Sequence, residues 1–147
     1  MGSEMCIRDS FFATRVKLDL PDDATTSSER AVFMVDTSLS SRPDKFNVWL
    51  NLLKATLDNN RDSLKEFAVL FFDVETRFWR SSYSANTEEN VAALLADCEK
   101  ITLEGATDLF SATRALTNTD WVIGSSSPDL FLLSAVSYTH LTLPTKA

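Results

Sequence analysis

Histidine and cysteine are nearly missing from this chain of 147 residues, which has one histidine and two cysteines. His140 and Cys6 lie close to the two chain ends, which leaves Cys98 as the thiol between them. A disulfide framework is therefore excluded for residues 11–134, and so are Ser-His-Asp triads, Cys-His dyads and histidine metal sites. A single thiol fits either redox environment, so the compartment stays open.

Basic residues are few, and long apolar runs are absent. Lys and Arg number 14 against 21 Asp and Glu, which gives a net charge of −7. An acidic surface argues against nucleic acid or an anionic membrane as partner. No apolar run approaches the roughly 20 residues of a membrane span. The length suffices for one hydrophobic core, so a single globular domain is expected.

Both chain ends have sequences that are unusual for a natural protein. Residues 1–10 and 136–145 resemble translations of the adapter ends used in transposon-based sequencing libraries. We therefore expect residues 1–10 and 135–147 to be adapter-derived, and residues 11–134 to be an internal fragment of a longer protein. Residues 1–10 lack the apolar stretch of a signal peptide, which makes a natural leader the weaker interpretation.

An apolar run, Ala31 to Val35, ends abruptly in Asp36 and two spaced hydroxyls, Ser38 and Ser40. Continuous apolar runs between polar segments suit strands that are covered on both faces, as in the parallel sheets of α/β proteins. An Asp at the tip of such a strand lies at the carboxyl edge, where open α/β sheets bind ligands. The alternative is an ordinary turn that caps the next helix.

Strands and amphipathic helices alternate along the rest of the chain. Residues 11–20 predict a half-exposed strand, and residues 21–30 a polar linker. A helix is predicted to begin with Ser41 as its cap and Pro43 in its first turn, and to end at Asn59. We further predict a buried strand at 67–72, an edge strand within 75–83, a helix capped by Thr87 that buries Cys98, a helix from 109, and a third buried strand at 129–134. This order predicts an α/β fold, a doubly wound, mostly parallel sheet with helices on both faces.

Two further features belong near the same edge of the sheet. The strand at 67–72 ends in Asp73, which could reach that edge, although a plain polar strand-end residue is the favoured interpretation. A loop with Gly105, Thr107 and Asp108 opens the helix at 109. Taken alone, Thr107 or Asp108 would be read as the N-cap of that helix.

The pattern D-x-S-x-S at Asp36, Ser38 and Ser40 resembles the metal-ion-dependent adhesion site of von Willebrand factor A domains. In that family a glycine-rich loop ending in Thr-Asp supplies a threonine ligand, and Thr107 with Asp108 matches it in order and separation. The resemblance covers residues 31–134 and implies a partial A domain that is truncated on its C-terminal side. Residues 11–30 resemble the segment that precedes the A domain in proteins with a vault-type inter-alpha-trypsin inhibitor domain.

The resemblance implies a site for Mg²⁺ or Mn²⁺, the ions that oxygen ligands suit. Its ligands would be Asp36, Ser38, Ser40 and Thr107, with Asp73 and Asp108 as candidates for supporting contacts. Because hydroxyls are neutral, Asp36 would supply nearly all of the nearby negative charge, and the ion would remain electrophilic. The ion would then bind an Asp or Glu carboxylate of a protein partner, which makes the chain an adhesion or assembly module and not an enzyme.

This sequence departs from the family pattern at three positions. Leu39 and Ala106 stand where Gly is usual, and Ala135 follows the third strand where the family has Asp. The codon for Ala135 would span the adapter junction, so the native residue there could be that Asp. Two alternatives stay open: a metal-free A-like scaffold, and a haloacid-dehalogenase-type phosphotransferase, in which an acid stands where Ser38 stands here.

Overall fold

A computed structural model of the chain describes residues 28–124 and 127–134. The predicted strand at 11–20, most of the linker at 21–30, Ala135 and both predicted adapter segments lie outside the described residues. The predictions made for them stay predictions.

Two buried parallel strands form the centre of the sheet. β1 (Arg30–Asp36) pairs in parallel with β2 (Glu66–Phe72) on one side and with β5 (Asp129–Leu133) on the other. β3 (Thr76–Phe78) and β4 (Ser84–Ala85) pair antiparallel with β2, which gives the order β3-β2-β1-β5 with β4 beside β2. Every residue after the first is buried in both β1 and β2. The predicted mostly parallel sheet and the edge strand within 75–83 are confirmed.

Within the described residues, four helices connect and cover the strands. They are α1 (Pro43–Asn59), α2 (Glu88–Cys98), α3 (Leu109–Thr117) and α4 (Asp120–Ile123). The predicted cap of α2 is confirmed, because the Thr87 hydroxyl accepts a hydrogen bond from the Asn90 N–H at 3.2 Å. Within residues 28–124 and 127–134, no helix has both the length and the apolar character needed to cross a membrane.

The predicted cap of α1 is wrong. Arg42 occupies the N-cap position with φ 44° and makes no capping hydrogen bond through its side chain. The hydroxyl of Ser41 instead donates to the carbonyl of Asp36 at 2.9 Å, and Ser41 is fully buried. A hydroxyl this close to a strand end can accept a hydrogen bond from a helix N–H or donate one to a buried carbonyl. Here it donates to the strand carbonyl and does not cap the helix. Pro43 stands at the first helical position as predicted.

Alternating side chains of the central strands build one core on each face of the sheet. Phe33 and Val35 face the core under α1 and α2, whereas Val32 and Met34 face the core under α3 and α4. The first core takes Phe46, Leu50, Leu53, Leu57, Val91, Leu94 and Cys98 from its helices, and the second takes Ala112, Leu116 and Val122. The prediction of helices on both faces is confirmed.

β5 forms at the predicted place, but the prediction that it is buried is wrong. Leu130 and Leu132 are 53% and 47% exposed, and Phe131 is 38% exposed although it stacks on Phe33 at 4.9 Å between ring centroids. Among the described residues β1 is the only strand that pairs with β5. An apolar run indicates a strand that is suited to burial. Whether the strand is in fact buried depends on the strands and helices that pack against it.

Cys98 gives a direct test of the packing of α2. It is 1% exposed, and burial, together with the neighbouring Asp97 carboxylate, raises the pKa of its thiol to about 12. At pH 8 only about one such thiol in 10,000 is ionised. In a Cys6→Ser background we therefore expect a thiol reagent to label Cys98 only as fast as α2 opens, with full reactivity restored by denaturant. Native-state labelling at the rate of an exposed thiol would contradict this packing.

Candidate metal centre

Three loops meet at the carboxyl edge of the sheet, following β1, following β2 and preceding α3. The first two loops reach this edge because β1 and β2 are parallel and end on the same side of the sheet. Three backbone hydrogen bonds join the loops: Leu39 N–H to the Gly105 carbonyl at 3.1 Å, Glu104 N–H to Thr37 at 3.1 Å, and Asp108 N–H to Asp73 at 2.9 Å. The loops therefore form one continuous surface.

Asp36 lies at the bottom of this surface and is fully buried. Its Oδ1 accepts a hydrogen bond from the Ser38 N–H at 2.9 Å. Its Oδ2 accepts from the hydroxyls of Thr107 at 3.1 Å and Ser134 at 2.6 Å. No salt bridge within residues 28–124 and 127–134 includes Asp36. A buried carboxylate without a cationic partner is energetically costly, so this position favours a bound cation.

The predicted hydroxyl residues lie together beside Asp36. Ser38 Oγ is 2.7 Å from Ser40 Oγ and 2.8 Å from Thr107 Oγ1, and the last two are 3.4 Å apart. Neighbouring oxygens of an octahedral magnesium site, each about 2.0–2.1 Å from the ion, are roughly 2.9 Å apart. Ser38 is buried, whereas Ser40 is half-buried and Thr107 is exposed. The hydroxyl spacing therefore fits such an ion, and the cluster opens to solvent on one side.

The local backbone explains why the hydroxyls converge. After Asp36 the chain enters a single 3-10 turn, Leu39–Ser41, which places Ser38 and Ser40 on the side facing Thr107. Leu39 points outward with 64% of its surface exposed. Gly105 has φ 74°, a conformation that favours glycine, and an added Cβ would lie 3.4 Å from the Val74 side chain. The positive φ therefore favours glycine where the third loop passes the second, while the Cβ distance is an ordinary van der Waals contact.

Comparison with solved structures finds the same arrangement of strands and helices in a protein described as "von Willebrand factor type A from Catenulispora acidiphila". The TM-score is 0.52 with 16% identity, over 61% of this chain and 22% of that chain. The fold is von Willebrand factor A-like. No family model and no curated protein matches the sequence. The matched region is about a fifth of the solved chain, and at this identity the likeness concerns the fold alone.

The A-like fold also positions Asp73 and Asp108, and neither contacts the Asp36 cluster by a hydrogen bond. Asp73 accepts from the Thr37 hydroxyl at 2.9 Å and from the Glu75 N–H at 2.9 Å, so it joins the first two loops. Asp108 accepts from the N–H and the hydroxyl of Ser111, at 2.9 and 2.7 Å, and is the N-cap of α3. The sequence offered Thr107 and Asp108 as N-caps of this helix. Asp108 is the N-cap, whereas the Thr107 hydroxyl lies beside Ser38 and Ser40.

The capping bonds hold the pKa of Asp108 below its ordinary value, because the Ser111 N–H and then its hydroxyl stabilise the ionised form. A lowered pKa in the folded chain means that the contribution of Asp108 to stability is present above the unfolded pKa. That contribution is lost as the pH falls through the folded value. Near neutral pH the carboxylate is therefore ionised and the start of α3 is fixed.

Ser134 is the site residue that the sequence patterns did not reveal. It follows β5, and its hydroxyl makes the 2.6 Å hydrogen bond to Asp36 Oδ2. The available signal was positional, since a hydroxyl at the end of a strand that pairs with β1 in this register lies near the residue that ends β1. The neighbouring Ala135, for which the sequence predicted a role, lies outside the described residues. No group of three or more His, Cys, Asp or Glu residues in the described part of the chain is arranged to hold a metal.

We expect Ser134→Ala to weaken magnesium affinity by about 10-fold or more, the usual loss when a group that orients a ligand is removed. The physical reason is that Asp36 Oδ2 would lose one of its two hydroxyl donors, so the carboxylate would be less firmly oriented. Calorimetric titration measures the change. Ser63→Ala is the matched control, because the Ser63 hydroxyl bonds to the Asn60 carbonyl far along the chain from the cluster. Equal affinities for the two variants would show that Ser134 does not support the site.

Proposed function

We propose that this chain is a protein-binding module that holds Mg²⁺ or Mn²⁺ at Asp36, Ser38, Ser40 and Thr107 and binds a partner's carboxylate through the ion. The observation that carries the proposal is the fully buried Asp36 carboxylate, which has no ion-pair partner among the described residues and lies against three clustered hydroxyls. The A-like fold supports it, because ligands of open α/β sheets bind at this edge.

The donor set favours hard divalent cations. One carboxylate and neutral hydroxyl oxygens match the ligands preferred by Mg²⁺ and Mn²⁺, and no thiolate or imidazole is available in the cluster. A bound ion would supply the positive charge that a partner's Asp or Glu carboxylate requires. The chain's own contribution is to orient the oxygens: the Ser38 N–H holds Asp36 Oδ1, and Ser134 and Thr107 hold Oδ2.

The proposal assigns no catalytic reaction to the site. The phosphotransferases with an aspartate nucleophile at a strand end carry a second acid two residues later. Ser38 stands at that position here. Absence of turnover with a generic phosphate ester such as p-nitrophenyl phosphate is the expected result, and turnover that depends on Asp36 would overturn this part of the proposal.

A metal-free scaffold is the second candidate, and one observation favours it. The hydroxyls of Ser38, Ser40 and Thr107 lie within hydrogen-bond distance of one another, so they satisfy each other without an ion. In a scaffold the same loops would hold the sheet edge together and would not respond to divalent cations.

Manganese titration followed by water-proton relaxation separates the two functions. The parent chain should bind one Mn²⁺, Ser38→Ala/Ser40→Ala should bind none, and Ser63→Ala should behave as the parent. The bound form is then tested on immobilised carboxylate-rich proteins, where retention in Mg²⁺ and release by EDTA are expected. Retention that is the same with Mg²⁺ and with EDTA would favour the scaffold, and absence of Mn²⁺ binding by the parent would overturn the metal site.

A further inference from the structure

We infer that the partner's carboxylate is presented next to a large apolar side chain, because the candidate metal centre is bordered by four exposed apolar residues. This inference rests on the proposed function and adds the chemistry of the partner to it. The four residues, here called the apolar rim, are Leu39, Val74, Leu109 and Phe110, with exposed fractions of 64%, 58%, 41% and 72%.

The residues of the apolar rim lie close to the site residues along the chain or through a contact between loops. Leu39 stands between the two clustered serines, and its N–H is bonded to the carbonyl of Gly105. The Val74 side chain lies where a Cβ on Gly105 would contact it at 3.4 Å, so Val74 borders the same glycine. Leu109 and Phe110 open α3, two and three positions after Thr107. Each of the three loops thus contributes apolar surface within a few residues of a site residue.

Exposing large apolar side chains to water is unfavourable unless a binding partner covers them. Side chains of this size favour burial, and exposed apolar surface with polar neighbours is typical of protein-binding sites. None of the four residues belongs to the two buried cores of the sheet. The rim is therefore surface that a partner can cover while its carboxylate reaches the ion.

The charges on the loops restrict what the partner carries beside that carboxylate. Asp73, Glu75, Glu104 and Asp108 lie on the same loops, in addition to Asp36, whereas Arg42 follows the first loop and Arg114 lies over the Phe110 ring at 5.8 Å. The acids outnumber these two cations, so without a bound ion this edge disfavours an acidic segment. A divalent ion beside the single carboxylate of Asp36 would leave one local positive charge, which suits one partner carboxylate. Additional acids in the partner are therefore disfavoured, whereas aliphatic or aromatic residues gain contact with the rim. The occupant is a protein segment with one Asp or Glu and a large apolar residue within a few positions of it.

A displayed peptide library with one fixed Glu tests the inference. The library is bound to the parent chain in MgCl₂, eluted with EDTA, and counted against the same selection on Asp36→Ala. We expect Leu, Phe, Trp or Met to be enriched within about three positions of the fixed Glu, and Asp and Glu to be depleted. The best peptide is then measured against two double variants, Leu109→Ala/Phe110→Ala in the rim and Val48→Ala/Leu52→Ala on the exposed face of α1.

The rim variant should bind the peptide about 10-fold more weakly or worse, as for loss of a central apolar contact, with its Mg²⁺ affinity unchanged. The α1 variant should stay within about twofold of the parent. EDTA-eluted peptides without apolar enrichment, or equal binding by the two variants, would overturn the role of the rim and leave the metal–carboxylate contact standing. Failure to recover any EDTA-eluted peptide containing the fixed Glu would overturn the proposed function and the rim with it.

Discussion

Asp36→Asn is expected to abolish magnesium and manganese binding while leaving the metal-free chain as stable as the parent or more stable. Asparagine keeps the shape of the side chain and one acceptor for the Ser38 N–H, and its amide can donate to the hydroxyl oxygens of Thr107 or Ser134, which can reorient. What the variant loses is the negative charge. Because that charge is buried without a cationic partner among the described residues, removing it relieves a cost in the metal-free state. The same change removes the main attraction for a cation.

Denaturant unfolding with and without Mg²⁺ measures both effects. At a free Mg²⁺ concentration 100 times the dissociation constant, the parent should gain about 2.7 kcal/mol in the free energy of unfolding. Asp36→Asn and Asp36→Ala should gain nothing, whereas Asp73→Ala should retain most of the gain, since Asp73 bonds to Thr37 and Glu75 and not to the cluster. If Mg²⁺ increased the free energy of unfolding equally for the parent and for Asp36→Ala, the assignment of the site to Asp36 would be wrong.

The second large effect is expected at β5. Its outer edge has no partner strand among the described residues, and Leu130, Phe131 and Leu132 are substantially exposed on the two faces of the sheet. An exposed apolar edge strand is a template for pairing with another chain. We therefore expect the 147-residue chain to self-associate or to fold only in part at micromolar concentration.

Sedimentation velocity before and after Leu130→Lys/Leu132→Lys tests this expectation, because charged residues on an edge strand oppose strand pairing. The lysine variant should sediment mainly as a monomer. Val48→Lys/Leu52→Lys adds the same charge on the exposed face of α1 and should associate like the parent. A parent chain that is monomeric and unfolds cooperatively would contradict the prediction.

The parts of the fold that depend on local pattern could be predicted from the sequence. The continuous apolar runs at 31–35 and 67–72 identified β1 and β2, and helical spacing identified α1, α2 and α3. The grouping of Asp36 with Thr107 came from the family resemblance, since no local pattern relates two loops so distant along the chain. Its use in metal binding remains a proposal.

The parts that failed depend on contacts between distant segments. The Ser41 hydroxyl had a helix N–H and a strand carbonyl within reach, and only the folded geometry decides between them. The contribution of Ser134 depends on β5 pairing beside β1 in the observed register, which places Leu133 opposite Val35. The exposure of β5 depends on neighbours that the apolar run does not specify.

The hydrogen bond from Ser134 to Asp36 links β5, whose outer edge has no partner strand among the described residues, to the carboxylate that would bind the ion. A strand that adds to this edge and shifts β5 would change the orientation of Asp36, and hence the affinity for Mg²⁺. Thermodynamic linkage is reciprocal, so bound Mg²⁺ would alter the affinity of β5 for that strand by the same factor. Edge pairing and cation binding would then report one and the same coupling free energy.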